Sequence, residues 1–217
     1  TKLYVPEGGS ATFQIRLSKQ PSVAVTVGVS GRSMSLQGWE GLMPKPQEDF
    51  NFMAALKQTL LDEGGDKLTD DPDDPGGRTK FGITQRFLTA IGGGKVDDLD
   101  ETKATAIYYQ HWWLEYHFDE LAVDATSVAA KVFNFAVNAG PKAAFLCLQR
   151  AMIANDIPIK DDGVLGPITR GVLATFLKKN GANARCLYVA LKSEIAGYYR
   201  DLDKPKYEAG WIARAYR

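Results

Sequence analysis

Apolar positions recur at helical spacing over most of this chain. Phe50, Met53, Leu56 and Leu60 mark one helix that begins around residues 46–49 and runs to Glu63. Gly64-Gly65 then stops it, because glycine accepts the left-handed geometry of a helix C-terminus. A short helix from Thr84 or Gln85 carries Phe87, Leu88 and Ile91 and ends at Gly92-Gly93-Gly94. Asp98-Leu99-Asp100-Glu101 has capping-box spacing and opens a longer helix through Ile107, Tyr108, Tyr109, Trp112, Trp113 and Leu114. A further helix covers about 126–139 and is closed by Gly140-Pro141. Ala143 to Met152 is one apolar-striped helix. After a loop at 161–169, Pro167 suits the first turn of the next one. Two last helical patterns run from about 182 to 201 and from about 207 to 216. This pattern predicts a mainly α protein.

The first thirty residues follow a different period. Thr12, Gln14 and Arg16 alternate with Phe13, Ile15 and Leu17, and Val23, Val25, Val27 and Val29 alternate again after Lys19-Gln20-Pro21. Two half-buried strands of this kind predict a β-hairpin over 1–30, which is marginal alone and must pair or pack elsewhere. Residues 31–47 have no periodicity and are rich in Gly, Ser and Pro, as a linker is.

Composition narrows the classes. The 217 residues are 45% apolar and 24% charged, with 26 basic and 26 acidic side chains, and the pI is near 6.7. That balance describes an ordinary globular protein and gives no basic footprint for nucleic acid. No run reaches the roughly eighteen apolar residues of a membrane helix, so stable membrane insertion is not expected. Cys147 and Cys186 lie inside helical patterns and read as buried free thiols. His111 and His117 lack metal-ligand spacing, and neither a metal nor a cofactor is expected. No signal peptide opens the chain, which begins at Thr1 as a fragment or a processed product would, and a monomer is expected.

The candidate chemistry lies just after the first helix. Glu63 sits at its end, and Asp70, Asp71, Asp73 and Asp74 follow in a segment too rich in Pro and Gly for helix or central strand. The negative end of a helix dipole disfavours an ionised carboxylate, which suits a proton donor. One acid on a rigid helix end facing several on a tight loop is raw material for glycosidic bond cleavage. There, one carboxyl protonates the leaving oxygen and another serves water or the oxocarbenium. On spacing alone, a solvated helix end beside an ordinary turn is the commoner arrangement.

The order of residues adds more. Glu63-Gly64-Gly65 is followed by Asp71-Pro72-Asp73-Asp74-Pro75-Gly76-Gly77-Arg78-Thr79-Lys80-Phe81-Gly82-Ile83-Thr84. This closely resembles the signature of the glycoside hydrolase 108 muramidases, sometimes called secretion-activator proteins. The resemblance implies that Glu63 is the catalytic acid. The Asp-then-Thr-x-x-Gly-Ile order is also similar to phage-type lysozymes, and by that analogy Asp73 (or Asp74) is the second carboxylate and Thr79 positions water. Ile107-Tyr108 with Trp112, Val132 to Gly140, and Gly210-Trp211-Ile212 with Arg214 are similar to the family as well, so the resemblance covers about 50–217. Leu148-Gln149-Arg150-Ala151 with Asp162-Gly163, Leu165-Gly166-Pro167 and Thr169 resembles helical peptidoglycan-binding modules. Val5, Glu7-Gly8, Ala11-Thr12-Phe13 and Leu17-Ser18 resemble the opening strands of Calx-beta domains, as a severed remnant or an added docking pair. Glu7-Gly8-Gly9 repeats the catalytic letters but precedes a strand and lacks the acidic loop.

Substrate contacts can be placed on the same pattern. Dense aromatics read first as core, yet Tyr109 and Trp112 share a helical face and are the pair placed on the cleft, where sugar C–H surfaces stack on rings. Asn134 and Asn138 also share a face; they either bridge backbone or turn amides to N-acetyl groups, and Asp74 is the remaining substrate contact. The expected architecture is a lysozyme-like helical domain with a small N-terminal β-hairpin extension. It divides into the hairpin at 1–30, the linker at 31–47, a muramidase region at 48–140 and a wall-binding-like helical region at 141–217. The activity implied is hydrolysis of the β-1,4 bond between N-acetylmuramic acid and N-acetylglucosamine in bacterial peptidoglycan. A phage lysin acting on the wall, in the periplasm, outside the cell or from the virion, fits that activity. A lytic transglycosylase, which needs only the Glu, and a non-catalytic wall-binding module are the competing readings.

Overall fold

Asp49 anchors the start of the helical body twice over. In the computed structural model, which describes residues 45–70, 77–179 and 181–217 (side chains of 179 and 181–183 excepted), its Oδ1 accepts the Phe52 N–H at 2.9 Å and caps helix α1, Phe50–Asp62. Its Oδ2 accepts the Trp113 indole N–H at 2.9 Å. Pro46–Glu48, at the end of the expected linker, form one 3-10 turn leading into this cap. The hairpin expected at 1–30 and most of the linker lie outside the described residues.

The buried stripe of α1 is Phe52, Ala55, Leu56 and Thr59. It is rotated from the stripe expected from the sequence, which shares only Leu56 with it; Phe50 is 83% exposed. The rotation follows from aromatic packing. The Phe52 ring lies 4.8 Å from Tyr109, 5.5 Å from Trp113 and 6.1 Å from Phe133, and Trp113 and Phe118 each pack on Phe133 edge to face. Pairs of this kind contribute about 0.5–1.5 kcal/mol each beyond the area they bury.

Two short strands, β1 (Thr79–Lys80) and β2 (Ile83–Thr84), form an antiparallel hairpin with Thr79 opposite Thr84 and Lys80 opposite Ile83. Its turn residues Phe81 and Gly82 both have positive φ (56° and 75°), as a two-residue primed turn requires. The sequence reads this stretch as loop, because two-residue strands leave no alternation to detect. Thr84 caps α2, Gln85–Ala90. Asp100 caps α3, Glu101–Tyr108, two residues later than the capping-box spacing suggests, and Val96–Asp98 is a 3-10 turn instead. The chain then continues as a π-helical turn over Tyr109–Leu114.

Helix α4, Phe118–Ala139, begins well before the 126 expected from the sequence. It breaks at Ala125 (φ −157°, ψ 74°), and only the part beyond the break has the expected extent. It is the central element, packing against α1, α5 (Pro141–Ile153), α6 (Pro167–Lys179) and α7 (Gly181–Asp201). α7 in turn packs against α8, Pro205–Tyr216. The chain is mainly helical, as the pattern predicts. Cys147 is a buried free thiol, but Cys186 is free and exposed, a departure from expectation, because the core face of α7 is Leu187, Leu191, Ile195 and Tyr199. Among the described residues no helix is long and apolar enough to cross a membrane.

Candidate active site

Glu63 is the C-cap of α1 (φ −90°, ψ 8°), one residue beyond the last turn in which the sequence places it. Its N–H still donates to Thr59 O, and Gly65 N–H reaches back to Leu60 O at 2.9 Å. Gly64 and Gly65, with φ of 83° and 62°, supply the reversal, so the glycines are needed for this close of the helix. The reversed chain meets the hairpin where Phe81 N–H donates to Gly65 O at 3.0 Å. The Tyr108 hydroxyl donates to Phe81 O at 2.8 Å in the buried layer beneath. Burial first, and the neighbouring Glu63 carboxylate second, push the Tyr108 phenol far above its ordinary range, with Arg214 opposing; Tyr108 is therefore a neutral donor.

The Glu63 side chain is 17% exposed, and its Oε1 accepts from Arg214 Nη2 at 2.6 Å across 151 residues of sequence. Arg214 also donates from Nε to Asn134 Oδ1 at 3.3 Å and from Nη2 to Asn134 O at 3.4 Å. The Asn134 amide nitrogen donates to Asp62 Oδ2 at 3.0 Å and to Thr59 Oγ1 at 3.3 Å. Asp62, whose side chain is 3% exposed, also receives Arg217 Nη1 at 3.3 Å and Gln58 Nε2 at 3.1 Å on Oδ1. Two adjacent carboxylates, one buried and paired and the other reaching solvent, are thus held by Arg214 of α8, by Arg217 just after that helix and by one asparagine of α4. Such charge-assisted bonds in a partly dry site are short and directional.

The remaining expected residues are distributed as follows. Asp73 and Asp74 lie outside the described residues. Thr79 is half-buried in β1, with its backbone paired to Thr69 and its hydroxyl donating to Gly77 O at 3.2 Å. Trp112 is half-buried between Phe87 and Tyr116, at centroid distances of 6.4 and 6.0 Å. Tyr109 does not offer a face to a cleft: it is 3% exposed against Phe52, and burial, then Asp49, push its phenol up to about 12. The π-helical turn that begins at Tyr109 accompanies this inward placement. Asn134 is likewise buried, both ends of its amide committed to Arg214, Asp62 and Thr59, so it serves the carboxylates rather than a sugar. Asn138 is exposed and accepts from the Tyr199 hydroxyl at 2.8 Å.

Sequence reasoning assigned no role to Arg214, Asp62, Gly82 or Tyr108. The signal for Arg214 in the sequence is the family likeness of Gly210-Trp211-Ile212 with Arg214, which gives the arginine no role.

The family model for glycosyl hydrolase 108 matches residues 56–140. That segment contains Glu63, Gly82, Tyr108 and Asn134, and Arg214 lies beyond it. The solved structure of Brucella abortus SagA is similar to this chain at 30% identity, over 76% of this chain and 90% of its own, with a TM-score of 0.60. No curated protein matches. The chain belongs to glycosyl hydrolase family 108, and that membership makes it a glycoside hydrolase for which bacterial peptidoglycan is the fitting substrate.

Proposed function

We propose that the protein is an N-acetylmuramidase that hydrolyses the β-1,4 bond between N-acetylmuramic acid and N-acetylglucosamine, with Glu63 as its acid. The observation that carries this reading is the placement of Glu63: a partly exposed carboxyl on a rigid helix end, braced by an arginine and a buried hairpin turn. In the reaction Glu63 gives its proton to the glycosidic oxygen as the bond from that oxygen to the anomeric carbon breaks. Water adds to the anomeric carbon, and its proton returns to a carboxylate. Asp73 or Asp74 serves the water or the oxocarbenium, with Thr79 orienting it. Trp112 and Asn138 are the sugar contacts that reach solvent. The site of action is the bacterial wall, as for a phage lysin or a virion-borne enzyme.

Clearing of a suspension of purified walls, followed by mass analysis of the fragments, tests the reading. Fragments with a reducing N-acetylmuramic acid end are expected. Anhydro ends would replace hydrolysis by transglycosylation. Reducing N-acetylglucosamine ends would move the cleaved bond, and intact walls would leave a binding module.

A further inference from the structure

We propose that Arg214 is a positioning residue for the proton donor, so that helix α8 belongs to the catalytic centre. The proposal rests on the reading of Glu63 as the acid. As a C-cap residue Glu63 has left the helical turn; the Gly82 turn packs on its Cβ and Cγ, and its outer torsions would still be free to swing the carboxyl. Arg214 removes that freedom. Its planar guanidinium is held by two bonds to Asn134, one from Nε and one from Nη2, which fix the plane before Glu63 is engaged. Nη2 then binds Oε1 at 2.6 Å. Among the described residues only Oε1 of this carboxyl has a partner, which leaves Oε2 to carry the proton to the glycosidic oxygen.

The end of α8 is itself fastened. The last carbonyls of a helix have no partner within it, and here donors from two other helices take those of Arg214 and Tyr216 and that of Arg217, the residue after α8. Lys131 Nζ of α4 donates to Arg214 O at 2.6 Å. Lys192 Nζ of α7 donates to Tyr216 O at 2.8 Å, and the Tyr188 hydroxyl of α7 to Arg217 O at 3.3 Å. The bridge from Arg217 to Asp62, the residue preceding Glu63, adds a second link to α1. Arg214 therefore reaches Glu63 from a backbone that cannot shift without losing several bonds.

The test is steady-state kinetics on soluble glycan strands released from purified peptidoglycan, with thermal unfolding measured in parallel. Arg214→Ala is expected to fold and to lose about a hundredfold in kcat with KM nearly unchanged, the scale of a misplaced catalytic group. Added guanidinium ion at non-denaturing concentration is expected to restore part of kcat in Arg214→Ala and none in Glu63→Gln. The double variant should be no slower than Glu63→Gln alone, because the two residues act as one unit. A folded Arg214→Ala with wild-type kcat, beside an inactive Glu63→Gln, overturns the positioning role and leaves the acid assignment intact. A loss confined to KM overturns it too, in favour of substrate binding. An active Glu63→Gln overturns the assignment of the acid itself. Should Arg214→Ala fail to fold, Arg214→Gln carries the test, and wild-type kcat in that variant overturns the role.

Discussion

Gly82 stands so close to Glu63 that a Cβ on it would lie 2.9 Å from the Cβ of Glu63 and 2.8 Å from the Tyr108 hydroxyl oxygen. Its φ of 75° is also one that a side chain rarely adopts. The Gly-Ile of the motif is thus a packing requirement: the hairpin turn can touch the acid only where no side chain intervenes.

Gly82→Ala is therefore expected to destabilise the fold by about 1–3 kcal/mol, the usual cost of a strained backbone position. It should lose more activity than that stability loss explains, since Glu63 must move to admit the methyl group. Unfolding midpoints and kcat measured on the same preparation check both halves. A variant that loses stability and keeps full kcat would show that Glu63 is indifferent to the turn.

Glu63→Gln should keep the fold and lose at least about a hundredfold in activity, the low end for acid–base catalysis. The amide is nearly isosteric and its oxygen can still accept from Arg214 Nη2, but it has no proton to give. Turnover of peptidoglycan by the folded variant at the wild-type rate would remove Glu63 from the mechanism.

Much of the fold could be read from the chain because it rests on local signals. The stop at Gly64-Gly65, the start of α2 at Thr84, and the helical patterns of α5, α7 and α8 are all set by residues within a few positions of one another. What could not be read depends on distant neighbours. The stripe of α1 is chosen by Tyr109, Trp113 and Phe133, aromatics from two other elements. Tyr109 and Trp112 share a face on an ideal α-helix, but there the chain is π-helical, and one ring turns to the core. The partner of Glu63 lies 151 residues away, beyond the reach of any spacing rule.

In the acidic stretch, Asp70 lies 3.5 Å from Arg78 Nε, and Arg78 also binds Asp97 at 2.8 Å, all at exposed positions. Such a pair contributes little, so Asp70→Asn should change activity and stability by less than about half a kcal/mol. If Asp73 serves water or the oxocarbenium, Asp73→Asn should cost at least about a hundredfold. Assaying Asp70→Asn, Asp73→Asn and Asp74→Asn together with their thermal stabilities separates the roles. A stable, active Asp73→Asn beside a stable, inactive Asp74→Asn would move the role by one residue. Activity in both would leave Glu63 alone and favour transglycosylation.

The last prediction concerns the fastening of α8 and its dependence on pH. Burial, followed by the nearby Lys192, Arg214 and Arg217 charges and opposed by Asp62, pushes Lys131 down to about 8 from its ordinary 10.5. Between those values the unfolded chain binds more protons than the folded one, so this residue's contribution to stability rises with pH across that window. Below it, Lys131 is protonated in both states and the cost of burying the ammonium is fully present. Lys131→Met removes that cost together with the bond to Arg214 O. The stability of the wild type minus that of Lys131→Met should therefore climb from about pH 8 toward pH 10. Cys147, raised by burial to about 12, and Tyr109 and Tyr199, each also about 12, make both proteins less stable as pH rises past their ordinary values. They do so equally in the two proteins and cancel in the difference. Chemical denaturation of both proteins at several pH values between 7 and 10 measures the difference directly. A flat difference would mean that Lys131 keeps its proton when buried, and that its bond to Arg214 O holds the end of α8 as a full ion–dipole contact throughout.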